Sequence, residues 1–170
     1  MNALIRIFID ICLLRAGPQR LPHSTALMWL SVAAYATVGV VSGLSYFGDW
    51  RALGASLLDT LLLAATLQLV LGIGGHRERL TKALTAVTGS WALIGLLALP
   101  LLFAVNRAAE GEGGGALLGL LVLLGWSLAI LGHVLRHALE ISLMAGLGIS
   151  VAYFLISQIL VQAVFPLPVS

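Results

Sequence analysis

One acidic residue lies inside a long apolar run. Asp59 stands in ALGASLLDTLLLAATLQLVLGI, about seven residues and roughly 10 Å past the start of that run. A carboxylate at mid-depth in a membrane span costs about 2.5–3.5 kcal/mol, so it turns to a bundle interior or a wet cavity. Three roles fit the residue type: a proton or cation site, a polar clasp between helices, or a carboxylate near enough the boundary to stay hydrated. Ser56 and Thr60 lie within a turn and are expected to donate hydrogen bonds to it. Gln158 and Gln162 form a second intramembrane polar stripe, for which interhelical hydrogen bonds of about 0.6 kcal/mol each are the expected role.

His133, Arg136, His137 and Glu140 share one face if that stretch is helical. Two histidines at i, i+4 with a glutamate form a zinc-type donor set. Arg136 would repel the metal, and no HExxH glutamate lies between the histidines. The expectation is an interfacial polar turn with Arg136 paired to Glu140, and no metal or cofactor. The chain contains no GxxxxGK[ST], GxSxG or DxDxDG pattern. A single cysteine, Cys12, excludes a disulfide within the chain and a Cys-based zinc site. No catalytic residue is expected.

Small residues recur where helices would pack. Gly39 and Gly43 form a GxxxG with Tyr35 one turn earlier; Thr81, Thr85 and Gly89 repeat at four, as do Ser142, Gly146 and Ser150. Such stripes let backbones approach in lipid, where apolar attraction between helices is weak. They serve packing within the chain, or contact with a membrane-protein partner or a second copy.

These residues must be held by membrane helices. Sixty per cent of the 170 residues are hydrophobic and 9% charged, with a mean hydropathy of +1.06. Soluble domains carry roughly 25% charged residues, and this chain cannot cover a core with polar surface. The bilayer is the expected partner. A net charge of +2 gives no argument for nucleic acid. The pattern predicts an all-α polytopic bundle of about five spans, near 25–47, 52–73, 81–105, 116–135 and 141–165. The turn at 133–140 contains no Gly or Pro, so helix is able to continue through Arg136 and His137. Gly146 and Gly148 are alternative break points, and a four-span chain with one long bent helix is the competing count.

Residues 1–22 form a separate segment ahead of the bundle at 23–170. Asn2, Arg6 and Asp10 share a face and Leu4, Ile5, Phe8 and Ile11 cover much of the rest, which predicts an amphipathic helix. It lies in the membrane interface or packs against the bundle. Asp10 interrupts the apolar run and no A-x-A-like site follows, so the segment is read as retained. With the N-terminus in the cytoplasm, seven Lys/Arg fall inside and only Arg51 and Arg107 outside. The positive-inside rule therefore places the C-terminus on the outer side; a bacterial inner membrane, with that side the periplasm, is the expected location. The loop at 106–115, with Glu110 and Glu112, falls outside.

The stretches GGHRERLTKALTAVTGSWALIGLLALPL and LVLLGWSLAILGHVLRHALEISLMAGLGISVAYFLI resemble bacterial Yip1-like membrane proteins. A short basic loop (Arg77 to Thr85) precedes a helix, and a helix bearing Trp126 ends in the polar turn His133 to Glu140. The resemblance covers roughly residues 52–165 and implies a compact bundle of four to five spans, with no defined reaction. The leading expectation is a non-enzymatic accessory or scaffold subunit. The alternative is a small transporter or channel-like subunit using Asp59.

Overall fold

The computed structural model describes residues 2–108 and 113–166, so Glu110, Glu112 and Pro168 lie outside the described residues, as does the side chain of Asn2. The described residues form six α-helices: α1 Asn2–Cys12, α2 Thr25–Phe47, α3 Arg51–Ile73, α4 Leu80–Arg107, α5 Gly114–Leu139 and α6 Leu143–Val164. The last five are long and apolar enough to cross a membrane.

Local chemistry sets the ends of these helices. Ser24 caps α2 by accepting from the Leu27 N–H at 3.2 Å. Gly48, at φ 69°, closes α2 in a left-handed conformation open to glycine without steric cost. The Asp49 carboxylate then takes the Arg51 backbone N–H at 2.9 Å and its guanidinium at 3.0 Å, starting α3. Ser142 caps α6 through the Ala145 N–H.

The stretch 133–139 is helical, as its lack of Gly and Pro allowed, and α5 runs four residues past the expected 135. The reversal comes at Glu140, in the left-handed region at φ 60°. A non-glycine residue there costs about 1–2 kcal/mol. Arg79 holds the turn, donating to the Ala138 carbonyl at 3.0 Å and to Glu140 at 2.7 Å. This corrects the expected Arg136–Glu140 pair: Glu140 has left the helical face, and Arg136 is exposed. The four-span alternative fails for the same reason. The chain breaks after Leu139, and α6 passes through Gly146 and Gly148 without interruption.

The five long helices close a ring in the order α2, α3, α6, α5, α4. Its outer surface is apolar: Leu61, Leu69, Leu118, Val122 and Ile159 are each more than 60% exposed. Water-soluble monomers rarely expose apolar patches beyond a few hundred Å². A belt of this kind is at ease only in hydrocarbon, and the protein is membrane-embedded.

The N-terminal helix packs against this ring. Ile11 is fully buried, and the Phe8 ring occupies the space a side chain on Gly89 would fill. The Trp126 indole N–H donates to the Cys12 carbonyl at 2.8 Å. Burial pushes the Cys12 thiol up from its ordinary pKa, which keeps it protonated and slow to react. Ser90, beside Cys12, is ten residues past Leu80, so α1 sits about 15 Å along α4 from its start. Ile5, Ile9 and Leu13 stay exposed along the outer side. The helix thus has one face on the bundle and an apolar stripe on the other.

One end of the ring collects the basic residues. Lys82 donates to the Gln19 carbonyl, and Gln19 to that of His137, so the links bearing Arg20, Arg77 and Arg79 converge there with the last turn of α5, which bears Arg136. Arg51 sits at the opposite end beside Pro166.

Candidate intramembrane polar site

Asp59 sits eight residues after Arg51, about 12 Å along the 23-residue α3. Its neighbours in the ring are α2 and α6, and both send hydroxyls to it. Tyr35 from α2 donates to Oδ2, while Ser157 and Tyr153 from α6 donate to Oδ1, the latter at 3.0 Å. The small-residue stripe positions Tyr35. A methyl on Gly39 would collide with Ser56 Oγ, and one on Gly43 would press on Ala52. With both side chains absent, α2 lies close on α3 and the next turn brings Tyr35 to Asp59.

Ser56 and Thr60 do not bond Asp59, contrary to expectation. Ser56 Oγ donates across the helix pair to the Ala36 carbonyl at 2.8 Å, and Thr60 Oγ1 donates back to the Ser56 carbonyl at 2.8 Å. Ser56 shares the α2-facing side of α3 with Asp59, but its short hydroxyl, like that of Thr60, is taken up by a nearer backbone carbonyl.

Three neutral donors leave part of the carboxylate's acceptor capacity open, since its two oxygens offer about four lone-pair sites. Among the described residues Asp59 takes part in no ion pair; the pairs join Asp49–Arg51, His76–Glu78, Arg79–Glu78 and Arg79–Glu140. An ionised Asp59 therefore has hydroxyl partners and no counter-charge.

Two cavities meet at this residue. The first, of about 300 Å³, lies among α4, α5 and α6 and is lined by Trp91, Leu123, Leu124, Ser127 and Phe154 besides the polar centre. The second, of about 460 Å³, runs toward the far end of α2 past Ser42, Tyr46 and Gln162. Tyr35, Asp59 and Gln158 belong to both walls. Asp59 itself is half-buried. Gln158 and Gln162 make no hydrogen bond among the described residues. The expected interhelical bonds are absent: both side chains are exposed, at the edge of the second cavity.

Trp91 completes the centre. Its ring packs against those of Tyr35 and Tyr153, with centroids at 5.8 and 6.0 Å. Its indole N–H donates to the Ser127 carbonyl of α5 at 3.0 Å, which locks the ring's orientation. Trp91, Tyr153 and Ser157 escaped the sequence reading. The available signal was two hydroxyls at i, i+4 in the apolar helix α6.

The other polar cluster does not assemble into a donor set. The His133 and His137 rings stack edge to face at 4.5 Å, and His133 Nε2 lies 3.2 Å from the Ala16 carbonyl. Glu140 turns away to Arg79, whose guanidinium holds its carboxyl below the usual carboxylate range. Among the described residues no group of three His, Cys, Asp or Glu side chains is placed to hold a metal ion. Gly89 receives Phe8, and Gly146 lies against the Gly132 carbonyl of α5. The polar centre at Asp59 is thus where this membrane-embedded chain concentrates its chemistry, and no family model, curated protein or solved structure matches it.

Proposed function

We propose that this chain works as a small transporter or channel-like subunit, with Asp59 as the group that holds a proton or a monovalent cation. The observation that carries this reading is the carboxylate's place on the shared wall of two cavities, with no counter-charge paired to it among the described residues. A clasp alone needs neither cavity. The scaffold reading drew on the small-residue stripes, and Gly39, Gly43, Gly89 and Gly146 are all covered by the chain's own side chains or backbone. The resemblance to Yip1-like proteins implies no reaction.

The test is flux in vesicles. Wild type in liposomes should dissipate an imposed proton or monovalent-cation gradient faster than empty liposomes. Asp59→Asn, still folded, should lose that flux by an order of magnitude or more, roughly the effect of removing one essential ionisable group. Wild-type flux equal to that of empty liposomes defeats the reading.

The same reading includes a bacterial inner-membrane location with the N-terminus in the cytoplasm. The gathering of Arg20, Arg77, Arg79, Lys82 and Arg136 at one end of the ring supports that orientation. A reporter after Ser170 should be active only on the periplasmic side, and one within residues 74–80 only in the cytoplasm. A cytoplasmic signal from the C-terminal fusion would reverse the orientation.

A further inference from the structure

We propose that the cavity beside Asp59 binds a lipophilic organic ammonium ion. This rests on the reading of Asp59 as a cation-holding group and adds the class of cation.

Composition of the walls makes the selection. A small inorganic cation needs a shell of several oxygens in place of its water. Here one carboxylate carries the charge, the Tyr35, Tyr153 and Ser157 hydroxyls already donate to it, and the rest of the first cavity is chiefly leucine, isoleucine and aromatic surface. A hydrated ion would lose water there and gain little. An organic ammonium loses less, because its alkyl or aryl groups prefer such walls.

The aromatic rings meet its charge. Trp91, Tyr35 and Tyr153 all line this cavity, and cations are attracted to aromatic faces within about 6 Å of the centroid, most strongly to tryptophan. Both tyrosine hydroxyls point to Asp59, so the rings and the carboxylate border one space. The Trp91–Ser127 bond holds the indole in place before any ligand arrives. A volume of about 300 Å³ is at the small end of ligand pockets, which suits one aryl or short alkyl group beside the ammonium.

The probe is benzyltrimethylammonium, which carries charge but no N–H donor, compared with neopentylbenzene, its uncharged carbon isostere. Binding is measured by equilibrium dialysis against the full chain in lipid nanodiscs, with empty nanodiscs subtracted. Wild type should bind the cation saturably and at least about tenfold more tightly than the isostere. Asp59→Asn should weaken the cation about tenfold or more and leave the isostere unchanged. Trp91→Leu should weaken it by about fivefold. Ala98→Phe, which fills the cavity from α4 without touching Asp59, should abolish it.

Equal binding of cation and isostere, or cation binding indifferent to Asp59→Asn, overturns the proposal. Binding that survives Ala98→Phe overturns the assignment to this cavity. Wild-type gradient flux with no benzyltrimethylammonium binding overturns the organic-cation class alone. Loss of both removes the cation role of Asp59 itself.

Discussion

Asp59→Leu melts well below Asp59→Asn in mild detergent: that is the expected result if the polar centre also holds three helices together. The three hydroxyls of Tyr35, Tyr153 and Ser157 converge on one carboxylate. Interhelical hydrogen bonds in membranes average about 0.6 kcal/mol each, which puts three of them at about 2 kcal/mol. A leucine removes every acceptor at once, and each buried donor left unpaired costs about 1–3 kcal/mol. Tyr153 and Ser157 are 5% and 2% exposed, so water does not readily take the place of the carboxylate. The leucine also favours the separated helix, where this position would face lipid. With the two buried donors, Tyr153 and Ser157, left unpaired, the expected loss is about 2–6 kcal/mol. Asparagine keeps an acceptor oxygen and should lose about 1 kcal/mol or less. Thermal unfolding followed by circular dichroism reads both. Equal melting of the two variants would mean that the hydroxyls find other acceptors and the cluster holds nothing together.

The second large effect is expected where α5 and α6 cross. Gly146→Val should cost about 3 kcal/mol, the upper end of overpacking penalties. A side chain on Gly146 would overlap the Gly132 carbonyl, and one on Gly132 would come within 3.0 Å of the Leu147 nitrogen. These are backbone atoms of the facing helix, which no rotamer change relieves. The helices would have to separate, weakening the Ser150–Leu128 bond of 2.8 Å on the same stripe. Gly148, two residues on, has nothing within reach of an added methyl. Gly148→Ala should be neutral or stabilising by up to about 1 kcal/mol. If the two variants melt alike, the close crossing is not a source of stability.

The first result bears on function. The hydroxyls that give Asp59 its structural role leave acceptor capacity open, so a site and a clasp are compatible in one residue. The Asn variant separates them: it should keep the melting temperature and lose the flux.

Much of the architecture was legible in the residues alone. Five apolar stretches of spanning length, with polar or Gly/Pro-bearing links, imply five helices, because hydropathy is a local property that needs no partner to express itself. The helical run through Arg136 and His137 was legible for a similar reason, since nothing in it breaks a helix. Asp59 stood out because a carboxylate in an apolar run is costly wherever its helix ends up.

Its partners were not legible. Tyr153 and Ser157 come from 94 and 98 residues away, and which hydroxyls meet Asp59 depends on the order of helices in the ring. Each residue turns an α-helix by about 100°, so rotation and neighbour order decide contact, and neither is written in local hydropathy. The same holds for Glu140, which fits Arg136 by spacing and binds Arg79 because α4 begins beside the end of α5. It holds for Gly146 as well, whose small size announced a close crossing without naming Gly132. The residues by themselves determined the solvent, the helices and the one misplaced charge. Tertiary structure alone decided what that charge meets, because lipid gives apolar helices little preference among neighbours until particular side chains and bare glycines fit.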